Sequence, residues 1–208
     1  IRVIREKDGL RVPGGQRYRS PGRVTVEGDW SGAAFWLAAG ALSETPVSIA
    51  GLTPDSPQGD KSIVGILNNR MGAPISKVQE EDGTYTYTVT PAETLRACDL
   101  DVTNIPDAFP VLAVLAAFAQ GRTSFIGCER LRFKESDRIA SVIAMLEALG
   151  GKAEEDGDGV IVYGADETGG LTGGTVDACG DHRIVMAAAI AALRCTGDVT
   201  ITGAEAVR

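Results

Sequence analysis

The chain has 208 residues, 44% hydrophobic and 23% charged, a balance that implies a packed core and either one good-sized domain or two small ones. Its formal net charge of −8 excludes a non-specific nucleic-acid binder, which needs a basic surface, but permits a local basic pocket. The 26 glycines imply many turns and tight helix ends.

Residues 1–28, IRVIREKDGLRVPGGQRYRSPGRVTVEG, are Pro/Gly-rich with short strand-like runs. They read as the tail of another domain plus a crossover segment. From Asp29, DWSGAAFWLAAGAL predicts an Ala-rich buried helix opened by an acidic cap, and PVSIAG predicts a short strand ending at Gly51. A second helix is expected over 60–71, closed by Gly72, then a strand pair over 75–79 and 84–90 around the turn EEDG. The pattern restarts at Asp107 with DAFPVLAVLAAFA and a strand RTSFIG ending at Gly127. A helix over 136–149 follows, with Ile139, Val142, Ile143, Leu146 and Leu149 on one face and Gly150 as its stop. Strands over 152–155 and 159–163 flank EDGDG.

A third start, DHRIVMAAAIAAL from Asp181, leads to DVTITG ending at Gly203, after which only five residues remain. The closing glycines recur 76 residues apart both times. The unit is therefore β-α-β-α-β-β, about 75 residues long, and the fold class is α/β (α+β) with repeated units packed as one domain. The domain is expected over 29–208, with units at about 29–98, 99–177 and 178–208, the last cut short. The chain reads as an excised piece of something larger.

The stretch LRFKESDRI at 131–139 crowds charge against a helix start. Ser136 or Asp137 suits a cap. A cap does not explain Arg132, Lys134 and Arg138, because a helix N-terminus carries partial positive charge. An arriving anion does explain them, since free backbone N–H groups at such junctions attract phosphate or carboxylate. In CGDHRIVM at 179–186, Asp181 is a cap, the sole histidine, His182, reads as a surface or supporting residue, and Arg183 again places a cation at the start of an apolar helix. Equivalent ends of repeated units lie on one side of a layered fold, which allows Arg138 and Arg183 to converge. In IPDAFP at 105–110, Asp107 either caps, with Pro110 in the first turn, or faces the same cleft as a general base. Glu135 is a second acid/base candidate, because two carboxylates among cations can be tuned apart in pKa.

Other chemistries find little support. With one histidine, a metal centre or a Ser-His-Asp relay is disfavoured, and neither GxxxxGKS/T nor GxGxxG is present. Cys98, Cys128, Cys179 and Cys195 are scattered and suit neither a zinc site nor a disulfide framework. The longest apolar run, 108–119, is well short of the roughly 20 residues that span a bilayer, and no signal peptide is recognisable. A soluble cytoplasmic protein without nucleic-acid or membrane partners is expected.

LRFKESDRIASVIAMLEALGG, preceded by IPDAFPVLAVLAAFAQGRT and followed by GDHRIVMAAAIAAL, is similar to the 5-enolpyruvylshikimate-3-phosphate (EPSP) synthase family, and VEGDWSGAAFWLAAGAL at 26–42 resembles its crossover into the first domain. The resemblance implies two domains of three β-α-β-α-β-β units each, with helices buried and sheets outside. It also implies transfer of the enolpyruvyl group from phosphoenolpyruvate to shikimate 3-phosphate with release of phosphate, and no metal or organic cofactor. By the same resemblance, Asp107 takes the proton of the attacking hydroxyl and Glu135 is the second acid/base residue. Lys134 contacts shikimate 3-phosphate, and Arg138 and Arg183 hold phosphoenolpyruvate with His182 nearby. Arg130 stands where some relatives carry an uncharged amide, and its role stays open. A lysine-bearing segment beyond the third strand and most of the other domain have no counterpart here, so this polypeptide alone is expected to be inactive. The rivals are an enolpyruvyl transferase acting on UDP-N-acetylglucosamine and a non-catalytic anion-binding domain of the same fold.

Overall fold

The computed structural model describes residues 1–207. Residues 1–28 form one short antiparallel hairpin, β1 (Ile4–Glu6) and β2 (Gly9–Arg11), and none of them is buried. Burial begins at Trp30, where Asp29 accepts hydrogen bonds from the backbone N–H groups of Ser31 and Gly32 and opens α1 (Trp30–Leu42). Ten of the thirteen residues of α1 are buried, so it carries no amphipathic stripe; a helix apolar all round belongs inside.

The strand β3 (Val47–Leu52) returns along α1, and the sheet it joins approaches the helix closely. A Cβ at Gly40 would lie 2.8 Å from the Val89 side chain, so only glycine lets the helix settle on this sheet. The chain then coils over residues 59–71 through a 3₁₀ turn (Gly59–Ser62), the short α2 (Ile63–Gly65) and a π-helical segment (Ile66–Met71). A plain helix was expected here. Gly65, Asn68 and Asn69 are weak helix formers, and the segment relaxes into mixed pitch before Gly72 closes it at φ 86°. A hairpin of β4 (Ile75–Gln79) and β5 (Tyr85–Val89) completes an antiparallel sheet in the order β3-β5-β4.

The next unit is complete. Short strands β6 (Leu95–Arg96) and β7 (Leu100–Asp101) lead to α3 (Phe109–Ala117), all of whose nine residues are buried. After β8 (Ala119–Gln120) and β9 (Arg122–Ile126), a 3₁₀ turn (Glu129–Phe133) carries the chain into α4 (Arg138–Ala148). The hairpin β10 (Lys152–Asp156) and β11 (Gly159–Tyr163) closes a sheet ordered β10-β11-β9-β7, in which β7 and β9 run parallel. The run β7-α3-β9-α4-β10-β11 is thus β-α-β-α-β-β. It partly recurs as β12 (Gly174–Asp177), α6 (His182–Ala191) and β13 (Val199–Thr202), with β12 and β13 again parallel; the single-turn α5 (Ala165–Thr168) bridges the two.

Helices α1, α3 and α6 pack against one another, α4 lies against α3 and α6, and the sheets cover them from outside. Among the described residues no helix is long and apolar enough to cross a membrane. Because α3, α4 and α6 each follow a strand in the same sense, their N-termini meet at one end of the helical layer, and the start of α1 joins them there. Hydrogen bonds from Arg138 to Asp107 and Asp181, and from Arg183 to Ser31, record that meeting.

Candidate active site

At this end the first feature is a buried cation. Arg138 opens α4, and its side chain is 1% exposed. Its Nε donates to Asp181 Oδ2 at 2.8 Å, Nη1 to Asp107 Oδ1 at 2.6 Å and to the Pro106 carbonyl at 3.3 Å, and Nη2 to Glu135 Oε2 at 2.6 Å. One guanidinium therefore gathers carboxylates from three places in the chain. A buried charge is tolerated only when paired in this way.

Asp181 is wholly buried, and it both caps α6 through the Arg183 N–H and receives Arg138 and the Ser136 hydroxyl. Burial pushes its carboxyl upward, but the Arg138 hydrogen bond, the Arg183 N–H, the Arg138 charge and Ser136 outweigh that and hold it below the usual value. Asp107 behaves alike. Burial again raises it, and the hydrogen bond from Arg138 with the charges of Arg183, Arg138 and Lys134 brings it below the ordinary range. Lys134 Nζ stands 3.3 Å from Asp107 Oδ1, and Arg183 Nη2 lies 3.6 Å from Asp107 Oδ2. Asp107 is thus surrounded by three cations.

Arg183 is held from the opposite side. Its Nη1 donates to the Ser31 carbonyl at 3.0 Å and Nη2 to Ser31 Oγ at 2.8 Å, and its guanidinium carbon lies 5.5 Å from the centre of the Phe35 ring. Ser31 is oriented in turn by Asp29, the cap of α1. His182 is partly exposed at the rim, 3.8 Å from Asp181.

The structure brings together Asp107, Lys134, Glu135, Arg138 and Arg183, with His182 beside them, and corrects three details of the sequence reading. Asp107 caps no helix, because Ala108 occupies the position before α3 and Pro110 enters its first turn, leaving the Asp107 carboxylate free for the cations. Asp137, not Ser136, caps α4, which starts two residues later than expected. Its carboxylate takes the N–H groups of Ile139 and Ala140, so the cradle is made of side chains rather than of free helix N–H groups. Arg132 leaves the cluster altogether and pairs with Asp137 and Glu155 on the outer face. Sequence reasoning missed Ser31 and Asp60. Asp60 carries the charges of Asp107, Arg183 and Asp29 in its surroundings, and the 76-residue period aligns it with Ser136, a signal present in the chain from the start.

The depressed carboxyls give a pH dependence with a definite sign. Asp107 and Asp181 titrate lower in the folded chain than near 3.9, the unfolded value, so the stability they add is present at neutral pH. It is lost as pH falls below about 4 through their lowered values. Asp60, raised by burial and by Asp107, runs the other way and loses its contribution as pH climbs through its folded value. Urea midpoints measured between neutral pH and pH 3 are expected to fall steeply at the acid end, and less steeply in Asp107→Asn.

Repeated β-α-β-α-β-β units with helix starts meeting at one charged cluster define an enolpyruvyl-transferase-type α/β domain. The chain belongs to the EPSP synthase family: the family model for EPSP synthase (3-phosphoshikimate 1-carboxyvinyltransferase) matches residues 1–208. It is 44% identical over 202 residues to the 3-phosphoshikimate 1-carboxyvinyltransferase of Natronomonas pharaonis, a match that spans 96% of this chain and 44% of the relative. It is 37% identical over 211 residues to the protein of that name from Methanocaldococcus jannaschii, spanning 100% and 46%. The solved EPSP synthase of Acinetobacter baumannii superposes with a TM-score of 0.81 at 30% identity, covering 99% of this chain and 48% of that one. The chain spans about half the length of the relatives it matches.

Proposed function

We propose that this chain supplies the shared-cluster half of an enzyme that transfers the enolpyruvyl group of phosphoenolpyruvate to the 5-hydroxyl of shikimate 3-phosphate, releasing phosphate. The observation that carries the reading is the convergence of Asp107, Glu135, Lys134 and Arg183 around the buried Arg138. Family membership favours shikimate 3-phosphate over a UDP sugar as acceptor. Residues 1–28, none of them buried, suit the tail of another domain and a crossover, and the repeat units run at about 29–98, 99–177 and 178–208. The location is the cytoplasm.

In this reading Asp107 takes the proton of the 5-hydroxyl as its oxygen attacks C2 of phosphoenolpyruvate, while a proton is added at C3 from Glu135 or Lys134. The tetrahedral adduct then loses a proton from that methyl carbon and expels phosphate, restoring the double bond. Fixed cations offset the repulsion of two polyanions and align the reacting atoms, with Lys134 on shikimate 3-phosphate and Arg183 on phosphoenolpyruvate beside His182. Arg138 is already filled by carboxylates, so an anion reaches it by displacing one. Glu135, 49% exposed, is the partner that yields, and its release frees it for acid–base work. Closure of a second domain over the cluster would complete the site. Phosphate release assayed with both substrates is expected from a protein of the relatives' full length and absent from the 208-residue chain. A full-length protein without turnover would overturn the reading.

A further inference from the structure

Ser31, Asp107 and Arg183 stand 76 residues apart in turn, the interval at which the closing glycines recur, so the repeat aligns the three with one another. They also meet in space. Arg183 Nη1 donates to the Ser31 carbonyl at 3.0 Å and Nη2 to Ser31 Oγ at 2.8 Å, while Nη2 lies 3.6 Å from Asp107 Oδ2. One position of the repeat thus supplies a hydroxyl, a carboxylate and a cation. The reaction proposed above uses the carboxylate and the cation, and gives the hydroxyl no part.

The two bonds to Ser31 are the only hydrogen bonds that the Arg183 guanidinium makes among the described residues; its Nε has no partner, and the Phe35 ring only lies against it. Ser31 is itself fixed, because its hydroxyl donates to Asp29 Oδ1 at 2.8 Å and so turns its lone pairs to Arg183. The gap to Asp107 matters because the two carboxylate oxygens differ. Oδ1 receives Arg138 at 2.6 Å and Lys134 at 3.3 Å, whereas Oδ2 accepts no hydrogen bond among the described residues. Oδ2 is therefore the oxygen open to a proton from a hydroxyl. An Arg183 that closed the gap would occupy that oxygen and turn away from an arriving anion. Attraction between opposite charges in a partly buried site favours such a collapse unless something holds the cation back.

We infer that Ser31 is a positioning residue: by holding both Nη groups of Arg183 it keeps the guanidinium off Asp107 Oδ2 and leaves a second N–H on each Nη for the phosphorylated substrate. The role rests on the function proposed above, but the restraint itself can be read without any turnover. In carbon-13 NMR of the 208-residue chain, the Asp107 carboxyl is expected to titrate at lower pH in Ser31→Ala than in the unmodified protein, because Arg183 then settles on Oδ2. Ser31→Thr keeps the hydroxyl and is expected to titrate as the unmodified protein does. The other charges around Asp107, those of Arg138, Lys134 and Asp60, are common to all three proteins. An Asp107 titration left unchanged by Ser31→Ala would overturn the inference and leave the proposed reaction standing. The alanine variant keeps its helix cap, since Asp29 acts through the backbone N–H groups of Ser31 and Gly32. If it does not fold, Ser31→Cys, whose sulfur is a weak acceptor, takes its place in the same comparison. In a protein of the relatives' full length, Ser31→Ala is expected to raise KM for phosphoenolpyruvate about tenfold, the scale of one charge-assisted hydrogen bond. KM for shikimate 3-phosphate and kcat are expected to stay within about twofold, because Lys134 makes no contact with Ser31. Equal rises in both KM values would refute a positioning role. Absence of turnover in the unmodified full-length protein would sink the reaction and leave the NMR result intact.

Discussion

Asp181→Ala is expected to lower the unfolding free energy by about 3–5 kcal/mol, because it strands the buried Arg138 charge that Asp181 neutralises. In a chain of this size that corresponds to a fall in Tm on the order of 10 °C, measurable by calorimetry. The informative control is Asp29→Ala. Asp29 also caps a helix, but it is exposed and touches no buried cation, so its loss is expected to cost only about 1 kcal/mol. Equal effects from the two substitutions would mean that capping, not charge burial, is what Asp181 provides. Arg138→Met separates the cases further, since it leaves Asp181 buried without its cation while the α6 cap persists.

On the proposed function, Asp107→Asn in a protein of the relatives' full length is expected to lower kcat by about 10²–10⁴-fold, the usual worth of a positioned general base. The fold should survive, because asparagine still accepts from Arg138 and two of the three surrounding cations are partly exposed or hydrogen-bonded elsewhere. The pH–rate profiles carry more detail. In the resting site the cations hold Asp107 below the ordinary range and make it a weak base. On the proposed function, bound phosphates would neutralise those cations and restore its basicity. The acid limb of kcat, which reports the bound enzyme, is therefore expected at higher pH than the acid limb of kcat/KM, which reports the free one. Coincident limbs, or an Asp107→Asn enzyme with full activity, would remove Asp107 from the base role.

Much of this arrangement was legible in the chain because the repeat is a periodic signal. Three Asp-opened, Ala-rich segments spaced like beads predict three helix starts, and like starts in a layered fold share an end. The runs at 30–42 and 109–117, apolar apart from Ser31, are buried as their lack of a polar face requires, save for the exposed Trp36. What was not legible depends on direction rather than identity. Arg132 and Arg138 are six residues apart and chemically alike, yet the 3₁₀ turn between Glu129 and Phe133 sends one outward to Glu155 and the other into the core. Asp107 looks like Asp29 and Asp181 in sequence, but Pro110 shifts where α3 begins and frees its carboxylate. Asp60 lies in the stretch expected as a plain helix, whose irregular coiling keeps its carboxyl within electrostatic reach of Asp107 and Arg183.

A chain assembled from look-alike modules faces a sorting problem, since one Ala-rich helix can sit in another's berth without a loss of oily contact. Arg138 breaks the tie. Its carboxylate partners lie 31 and 43 residues away, Asp107 in its own module and Asp181 in the next, and only the correct seating delivers the second to it. Seating the third module elsewhere would strip Arg138 of its one wholly buried counter-charge, so this guanidinium also proofreads the order in which the modules dock.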